Sequence, residues 1–299
     1  MKIDHKNNFS AYIELTFAAV AWGVSFIATK IAVQQVNPAV VVFLRFAIGA
    51  VIMLAILLAR RQLTLPTLKE GLYYALLGFI GISFHQWLQS TGLVTAQAST
   101  TSWIVSTSPV FIALLGWFFL KEKLGLNTIF GIMLASLGVL LVVSKGSLSS
   151  LISGNFGTTG DLLVLISAPN WAIFSVLSRS ALKDKAALFV LFYVILFGWL
   201  FTSIPFVATH GWLEIAHLNT TGWLAVAFLG IGCTALAYIF WYDGLQAIPA
   251  SRAGVFLYIE PLISLVVAAV LLGEAITLVA LLGGGLILAG VWLVNKVSV

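Results

Sequence analysis

The chain has 299 residues, of which 61% are hydrophobic and 8% charged, with a mean hydropathy of +1.09. A soluble domain carries roughly 25% charged residues, and a disordered chain is poor in apolar ones, so both classes are excluded. The net charge of +5 sits in short connectors, so it reports on membrane topology and not on a nucleic-acid partner. Cys233 is the single cysteine, so the chain makes no internal disulfide and no cysteine metal cluster.

A helix needs about 20 apolar residues to cross a bilayer. In chain order the sequence predicts ten such spans, at residues 11–33, 38–59, 70–90, 97–120, 126–144, 160–180, 186–208, 221–242, 249–272 and 277–294. Runs such as residues 40–44 and 262–267 are continuously apolar, without the period-two alternation of a membrane barrel. The expected fold is therefore an all-α integral membrane protein. Lys2, Lys6 and Ala19-Val20-Ala21 imitate a cleaved leader. Glu14 interrupts that leader and apolar sequence continues to Val33, so the first span is expected to be retained.

With the N-terminus in the cytoplasm, the inside connectors hold Lys2, Lys6, Arg60, Arg61, Lys69, Lys121, Lys123, Arg179, Lys183, Lys185, Arg252 and Lys296. The outside connectors hold only Lys30 and Lys145. This bias places both termini on the cytoplasmic face of a multi-pass cell (inner) membrane protein.

The chain repeats itself. The segment from Trp22 to Lys30 aligns with that from Trp171 to Arg179 at an offset of 149 residues. At an offset of 152, Gly78 matches Gly230, Gly92-Leu93 matches Gly244-Leu245, and Ala98-Ser99 matches Ala250-Ser251. In the same register Pro109 matches Pro261, Leu120 matches Leu272, and Glu122 matches Glu274. Gly131, Leu134 and Gly138 match Gly283, Leu286 and Gly290. A common register across so many positions points to duplication. Residues 1–150 are then a first repeat of five spans and residues 151–299 a second. An odd number of spans per repeat makes the second copy enter the membrane from the opposite side. Inverted repeats of this kind are the architecture of secondary transporters, with the solute site at the midplane between the halves.

Trp22-Gly23-Val24-Ser25-Phe26 resembles the entry motif of the EamA family, as does the run from Pro109 through Leu120 to Glu122. The segment from Glu260-Pro261-Leu262 through Leu271-Leu272-Gly273-Glu274 resembles that family's ninth span. The second half departs from the entry motif, because Asn170-Trp171-Ala172 stands where Trp-Gly is expected. The family belongs to the drug/metabolite transporter superfamily. The resemblance covers nearly the whole chain. It implies ten spans in two tandem halves and export of amino acids, aromatic ones included, or of other small metabolites.

Polar groups inside spans are costly and tend to face the bundle interior. Arg45 lies about seven residues into the second span, roughly 10 Å from its outer edge. Glu260 lies near the middle of the ninth span, where its short side chain cannot reach water. Arg45 is the only basic residue deep inside a span, Lys30, Arg179 and Arg252 lying within three residues of span ends, so the pair is expected to serve as an ion pair or a proton site. His85 and Gln89 are four apart and share one helical face. Thr107, with Thr100 and Trp103, follows helical spacing on a hydroxyl-rich face of the fourth span. Ser108-Pro109 and Glu260-Pro261 interrupt corresponding spans of the two halves, which is the strongest sequence pointer to a transporter's site. Trp22 and Trp171 sit near mid-span and not at an interfacial belt. With Trp103, Tyr238, Tyr242 and Tyr258 they form a candidate cavity wall, and His85, Gln89, Asn170 and Glu260 supply its polar groups. Trp87, Trp117, Trp199, Trp212, Trp223, Trp241 and Trp292 are assigned to belts or packing.

The function expected is a secondary transporter of a small molecule, with lipid as its surroundings, no nucleic-acid partner, no cofactor and a monomeric state. An intramembrane enzyme finds no HExxH or GxSxG motif. A channel is disfavoured by the aromatic interior. A phosphate-bearing cargo wants several interior cations, and Arg45 stands nearly alone. An importer remains open, because outward flux comes only from the resemblance. An ATP-driven pump lacks its phosphate loop.

Overall fold

The computed structural model describes residues 8–120, 125–147, 157–182, 185–247 and 254–296. The expectations attached to Lys2, Lys6, Lys121, Glu122, Lys123, Lys183, Pro249, Ala250, Ser251 and Arg252 lie outside these residues.

All regular structure among the described residues is helical. Lipid offers the backbone no hydrogen-bond partners, so an apolar chain winds into helices that satisfy themselves. The elements are α1 (Asn8–Val33), α2 (Pro38–Ala59), α3 (Leu68–Leu77), α4 (His85–Thr95), α5 (Ala98–Val105), α6 (Ser108–Leu120) and α7 (Leu126–Val143). They continue as α8 (Thr159–Leu182), α9 (Ala187–Ala208), the short α10 (Gly211–Glu214), α11 (Thr220–Ala227), α12 (Ala237–Ala247), α13 (Ile259–Leu272) and α14 (Leu278–Lys296). Among the described residues, seven helical segments are long and apolar enough to cross a membrane. Phe256–Leu272 and Leu278–Val294 are shorter apolar helices.

Local chemistry fixes several starts. The Asn37 side chain accepts from the Ala39 N–H ahead of Pro38 in α2. Thr67 and Glu70 form a reciprocal capping box on α3, and Glu70 also pairs with Lys185 at 2.6 Å. Thr158 and Asp161 make the same kind of exchange at the start of α8.

The third predicted span is longer than expected and is not regular. Residues 68–95 form one rod in which a π-wound stretch, Gly78–Phe84, joins α3 to α4. Residues 220–247 repeat the arrangement, with π winding at Phe228–Leu236 between α11 and α12. The two proline-marked spans are broken as the sequence predicts. A turn at Ser106 and Thr107 separates α5 from α6, and a 3-10 stretch, Gly254–Tyr258, precedes α13.

The packing of one half mirrors that of the other. α1 packs on α12 and α13, while α8 packs on α4, α5 and α6. α2 packs on the π-wound Phe228–Leu236, and α9 packs on the π-wound Gly78–Phe84. A Cβ on Gly78 would lie 2.6 Å from both Gly198 N and Val194 O, and one on Gly230 would lie 3.1 Å from Arg45 O. The most extensive contact joins α7 to α14. There a Cβ on Gly131 would lie 2.6 Å from Gly290 O, and one on Gly138 2.6 Å from Gly283 O. That order of contacts makes α7 and α14 antiparallel. Small residues let the two backbones touch.

The surface is inverted relative to a soluble protein. Val51 is 66% and Val270 76% exposed, while Arg45 is 5% and His85 3% exposed. An apolar medium around the helices accounts for both.

At one end of the bundle, residues 94–99 are tethered from α1, from α8 and from the connector between α13 and α14. Lys30 Nζ donates to Ala96 O at 2.6 Å and Val94 O at 3.5 Å. Glu274 accepts from Ala98 N at 2.7 Å, from Ser99 N at 3.0 Å and from Ser99 Oγ at 2.5 Å. Gly160 N donates to Thr95 Oγ1 at 3.0 Å.

Candidate functional site

The π-wound stretches carry the site. Winding from i→i+4 to i→i+5 disturbs the backbone ladder, and neighbouring groups must serve the carbonyls it frees. Trp22 Nε1 donates to Cys233 O at 3.2 Å, and Thr234 Oγ1 donates to Leu229 O at 2.9 Å. In the other half, Asn170 Nδ2 donates to Ile80 O at 2.9 Å. Asn170 is thus occupied in holding the first π stretch.

These bonds orient the aromatic groups. The Trp22 ring meets Tyr238 edge-on, with centroids 5.4 Å apart, and lies 5.3 Å from Trp241. Across the junction, Trp171 lies 4.9 Å from the His85 ring. Trp22, Trp171, Tyr238 and Tyr242 belong to one apolar cluster built from both halves. His85 Nδ1 is buried without a hydrogen-bond partner, and Gln89, one turn along α4, is 9% exposed. The shared face of His85 and Gln89 predicted from their spacing is present.

Arg45 is fixed at this junction. Its Nε donates to Thr234 Oγ1 at 2.9 Å and its Nη1 to Gln86 Oε1 at 3.0 Å. The guanidinium lies 5.2 Å from the Phe46 ring centroid. It therefore links α2 to both π-broken rods, one from each half.

Glu260 stands at the start of α13, where Gly23 of α1 packs against its backbone carbonyl. Its side chain is half-buried and makes no hydrogen bond or ion pair among the described residues. The pairing of Glu260 with Arg45 expected from the sequence is not formed. Arg45 instead finds neutral acceptors on α4 and on the second π stretch, which sequence spacing could not place beside it. The backbone of Glu260 meets Gly23, the neighbour of Trp22, whose ring bonds Cys233 O beside Thr234, the partner of Arg45.

Three expected lining residues are placed elsewhere or otherwise engaged. Trp103 packs on Gly284 of α14 with Val110, Leu265 and Ile287, and Tyr258 packs against the same cluster. Thr107 Oγ1 donates to Ile104 O at 2.6 Å. Ser102, Ser106 and Ser108 likewise bond carbonyls of their own segment, so the hydroxyl-rich face is largely self-satisfied. Sequence reasoning missed Thr234 and Trp241 as site residues. Thr234 is a lone polar group in an apolar run whose repeat counterpart is Ile82, so the duplication hid it. Trp87, Trp117, Trp212, Trp223 and Trp292 are exposed, as belt or lipid-facing residues are.

A separate groove of about 290 Å³ lies between α2, the first π stretch and α9, lined by Phe79, Phe84, Trp87 and Phe201. It contains none of the charged groups above. Among the described residues no group of three or more His, Cys, Asp or Glu could hold a metal ion.

Comparison with known proteins places this arrangement in a lineage. The model of the EamA-like transporter family matches residues 10–144 and again 158–296. An uncharacterized transporter of Archaeoglobus fulgidus is 30% identical, over 95% of this chain and 98% of its own length. A second from the same organism is 28% identical, over 96% of this chain and 97% of its own. The uncharacterized transporter YyaM of Bacillus subtilis is 27% identical, over 95% and 93% respectively. A solved protein crystal structure with 22% identity shares the fold at a TM-score of 0.65, covering 95% of this chain and 96% of its own.

Proposed function

The chain belongs to the EamA-like transporter family, and from that premise we propose that it is a secondary exporter of small metabolites, amino acids and aromatic ones among them. The solute occupies the junction walled by Trp22, Tyr238, Tyr242 and Trp171, and alternating access exposes that junction to each face in turn. The observation that carries this reading is the interior itself. Two halves each bring a mid-helix tryptophan and a π-broken helix to one place. Irregular backbone at membrane depth is tolerated where it lines a cavity or is buried in protein. Flat indole and phenol faces suit an apolar or zwitterionic solute.

The topology that goes with this function is ten crossings in two inverted halves, with boundaries near residue 150 and both termini on the cytoplasmic face of the inner membrane. The repeat-equivalent α7 and α14 run antiparallel, which supports inversion. So does the meeting of the end of α1, at Lys30, and the start of α8, at Gly160, on residues 95–96. A phosphate-bearing cargo is less well served, because Arg45 is the only interior cation at the site among the described residues.

The test is expression in a sensitive bacterium challenged with amino acids and their toxic analogues. The expected outcome is raised resistance to at least one and a lower intracellular content of it. Unchanged growth and content across the whole set rejects amino-acid export. Addition of the responding solute to the purified protein is expected to quench tryptophan fluorescence, and Trp22→Phe to reduce the quench.

A further inference from the structure

We propose that the groove between α2, the first π stretch and α9 is a second binding site, open to the bilayer, for a neutral planar aromatic molecule that carries both a hydrogen-bond donor and an acceptor. It lies apart from the junction of Trp22 and Trp171 and does not depend on which solute that junction takes. The π winding builds its wall. In a regular helix the residue five places on from Phe79 stands about 140° round the axis. Winding at i→i+5 through Gly78–Phe84 brings Phe84 back into line with Phe79. The two rings are stacked, with centroids 6.2 Å apart and planes at 13°. Trp87 continues the row, 6.1 Å from Phe84 and at 16° to it. Phe201 of α9 meets Phe79 edge-on at 5.5 Å. Phe79, Phe84 and Trp87 are all exposed on the outer surface of the bundle. Near-parallel rings present a repeated stacking surface, and a planar ring system extends such a row.

The polar groups of the groove narrow the occupant further. Trp87 Nε1 and Ser83 Oγ make no hydrogen bond among the described residues. Pro205 lies within α9 and has no N–H, so the carbonyl of Phe201, four residues back, lacks its helical donor. Ser83, Trp87, Phe201 and Pro205 all line the groove. Residues 68–95 make a rod about 42 Å long against a hydrocarbon core of about 30 Å. Centred in the bilayer, that rod places Trp87, about 12 Å from its end, within the core. Lipid tails offer an indole N–H nothing there, and an unanswered polar group is costly. An acyl chain filling the groove answers none of these groups. A charged molecule meets no countercharge, since no charged residue lines the groove. A neutral ring bearing a carbonyl and an N–H serves both kinds: its carbonyl accepts from Trp87, and its N–H donates to Ser83 or Phe201. The groove's volume of about 290 Å³ suits one small molecule of this class.

The experiment uses the full-length protein in lipid nanodiscs, with empty nanodiscs of the same lipid as the blank. The probes are 4-quinolone, which is flat and carries a carbonyl and an N–H, naphthalene, which is flat and carries neither, and n-decanol, a chain with a hydroxyl. Equilibrium binding of the radiolabelled probes is expected to be saturable for 4-quinolone and at least about tenfold tighter than for naphthalene or n-decanol. Trp87→Phe keeps a ring and removes the N–H, and is expected to erase most of the margin over naphthalene. Phe84→Ala is expected to weaken both flat probes. Both side chains are exposed, so neither variant empties the core, and unchanged melting temperatures check this. Absence of saturable 4-quinolone binding overturns the proposal. Binding of n-decanol as tight as that of 4-quinolone also overturns it, and assigns the groove to a lipid chain. Binding weakened by Trp22→Phe but untouched by Trp87→Phe and Phe84→Ala puts the probe at the junction and overturns it as well. None of these outcomes bears on the resistance screen, so the transport reading stands or falls separately.

Discussion

Thr234 shows how much one side chain carries in this interior. Its hydroxyl donates to Leu229 O, five residues back, and accepts from Arg45 Nε. Its methyl group packs where Gly49 lacks a side chain, since a Cβ on Gly49 would come within 2.3 Å of it. Thr234→Val keeps the shape and removes the hydroxyl. It leaves a carbonyl and a guanidinium N–H short of partners, at about 1–3 kcal/mol. The expected result is a lower melting temperature of the detergent-solubilised protein, largely restored by Thr234→Ser. Residues of this kind were not legible in the sequence, because a threonine in an apolar run gives no sign of whom it faces. Trp22 and Trp171 were legible, since an indole near mid-span has no interfacial reason to be there. Trp103 met the same criterion and packs on α14 instead, because depth in the membrane does not say which side of a helix meets the cavity.

At the scale of elements, the proline breaks were readable and the π winding was not. Proline removes a backbone donor wherever it stands, so Ser108-Pro109 and Glu260-Pro261 announce their breaks locally. The π stretches depend on what crosses them. Gly78 meets the backbone of α9, and Gly230 meets that of α2, and only the assembled halves supply those contacts. The same logic separates two adjacent glycines of α14. A Cβ on Gly284 would lie 2.5 Å from the Trp103 ring, whereas one on Gly285 meets nothing within 4 Å. Gly284→Ala is expected to destabilise the protein by about 1–3 kcal/mol through overpacking. Gly285→Ala is expected to be neutral or to stabilise by up to about 1 kcal/mol through helix propensity. Thermal unfolding of the two variants side by side checks the packing of α5 on α14.

At the scale of the whole molecule, the repeat was legible because duplication leaves a register in the sequence. The matched glycines lie where helices from the two halves touch, and that is why they survive as a pattern. The proposed inversion makes a direct prediction. Leu65 is 90% exposed in the connector between α2 and α3, and His217 is exposed in the corresponding connector of the second half. Cys233 is buried, so it competes little with engineered thiols. In a Cys233→Ser background, His217→Cys is expected to react with impermeant maleimide in intact cells, and Leu65→Cys only after the cells are permeabilised. Labelling of both from the same face rejects the inverted arrangement.

The tethering of residues 94–99 has a consequence for the proposed cycle. Lys30 and Glu274 come from different halves, and between them they hold a five-bond knot over one mouth of the bundle. Charge-assisted bonds are the stronger kind, and each 1.4 kcal/mol shifts a two-state balance about tenfold. In the export cycle proposed above, a solute leaving by that mouth would have to wait for these bonds to open, which would make exit and not capture the pacemaker of turnover.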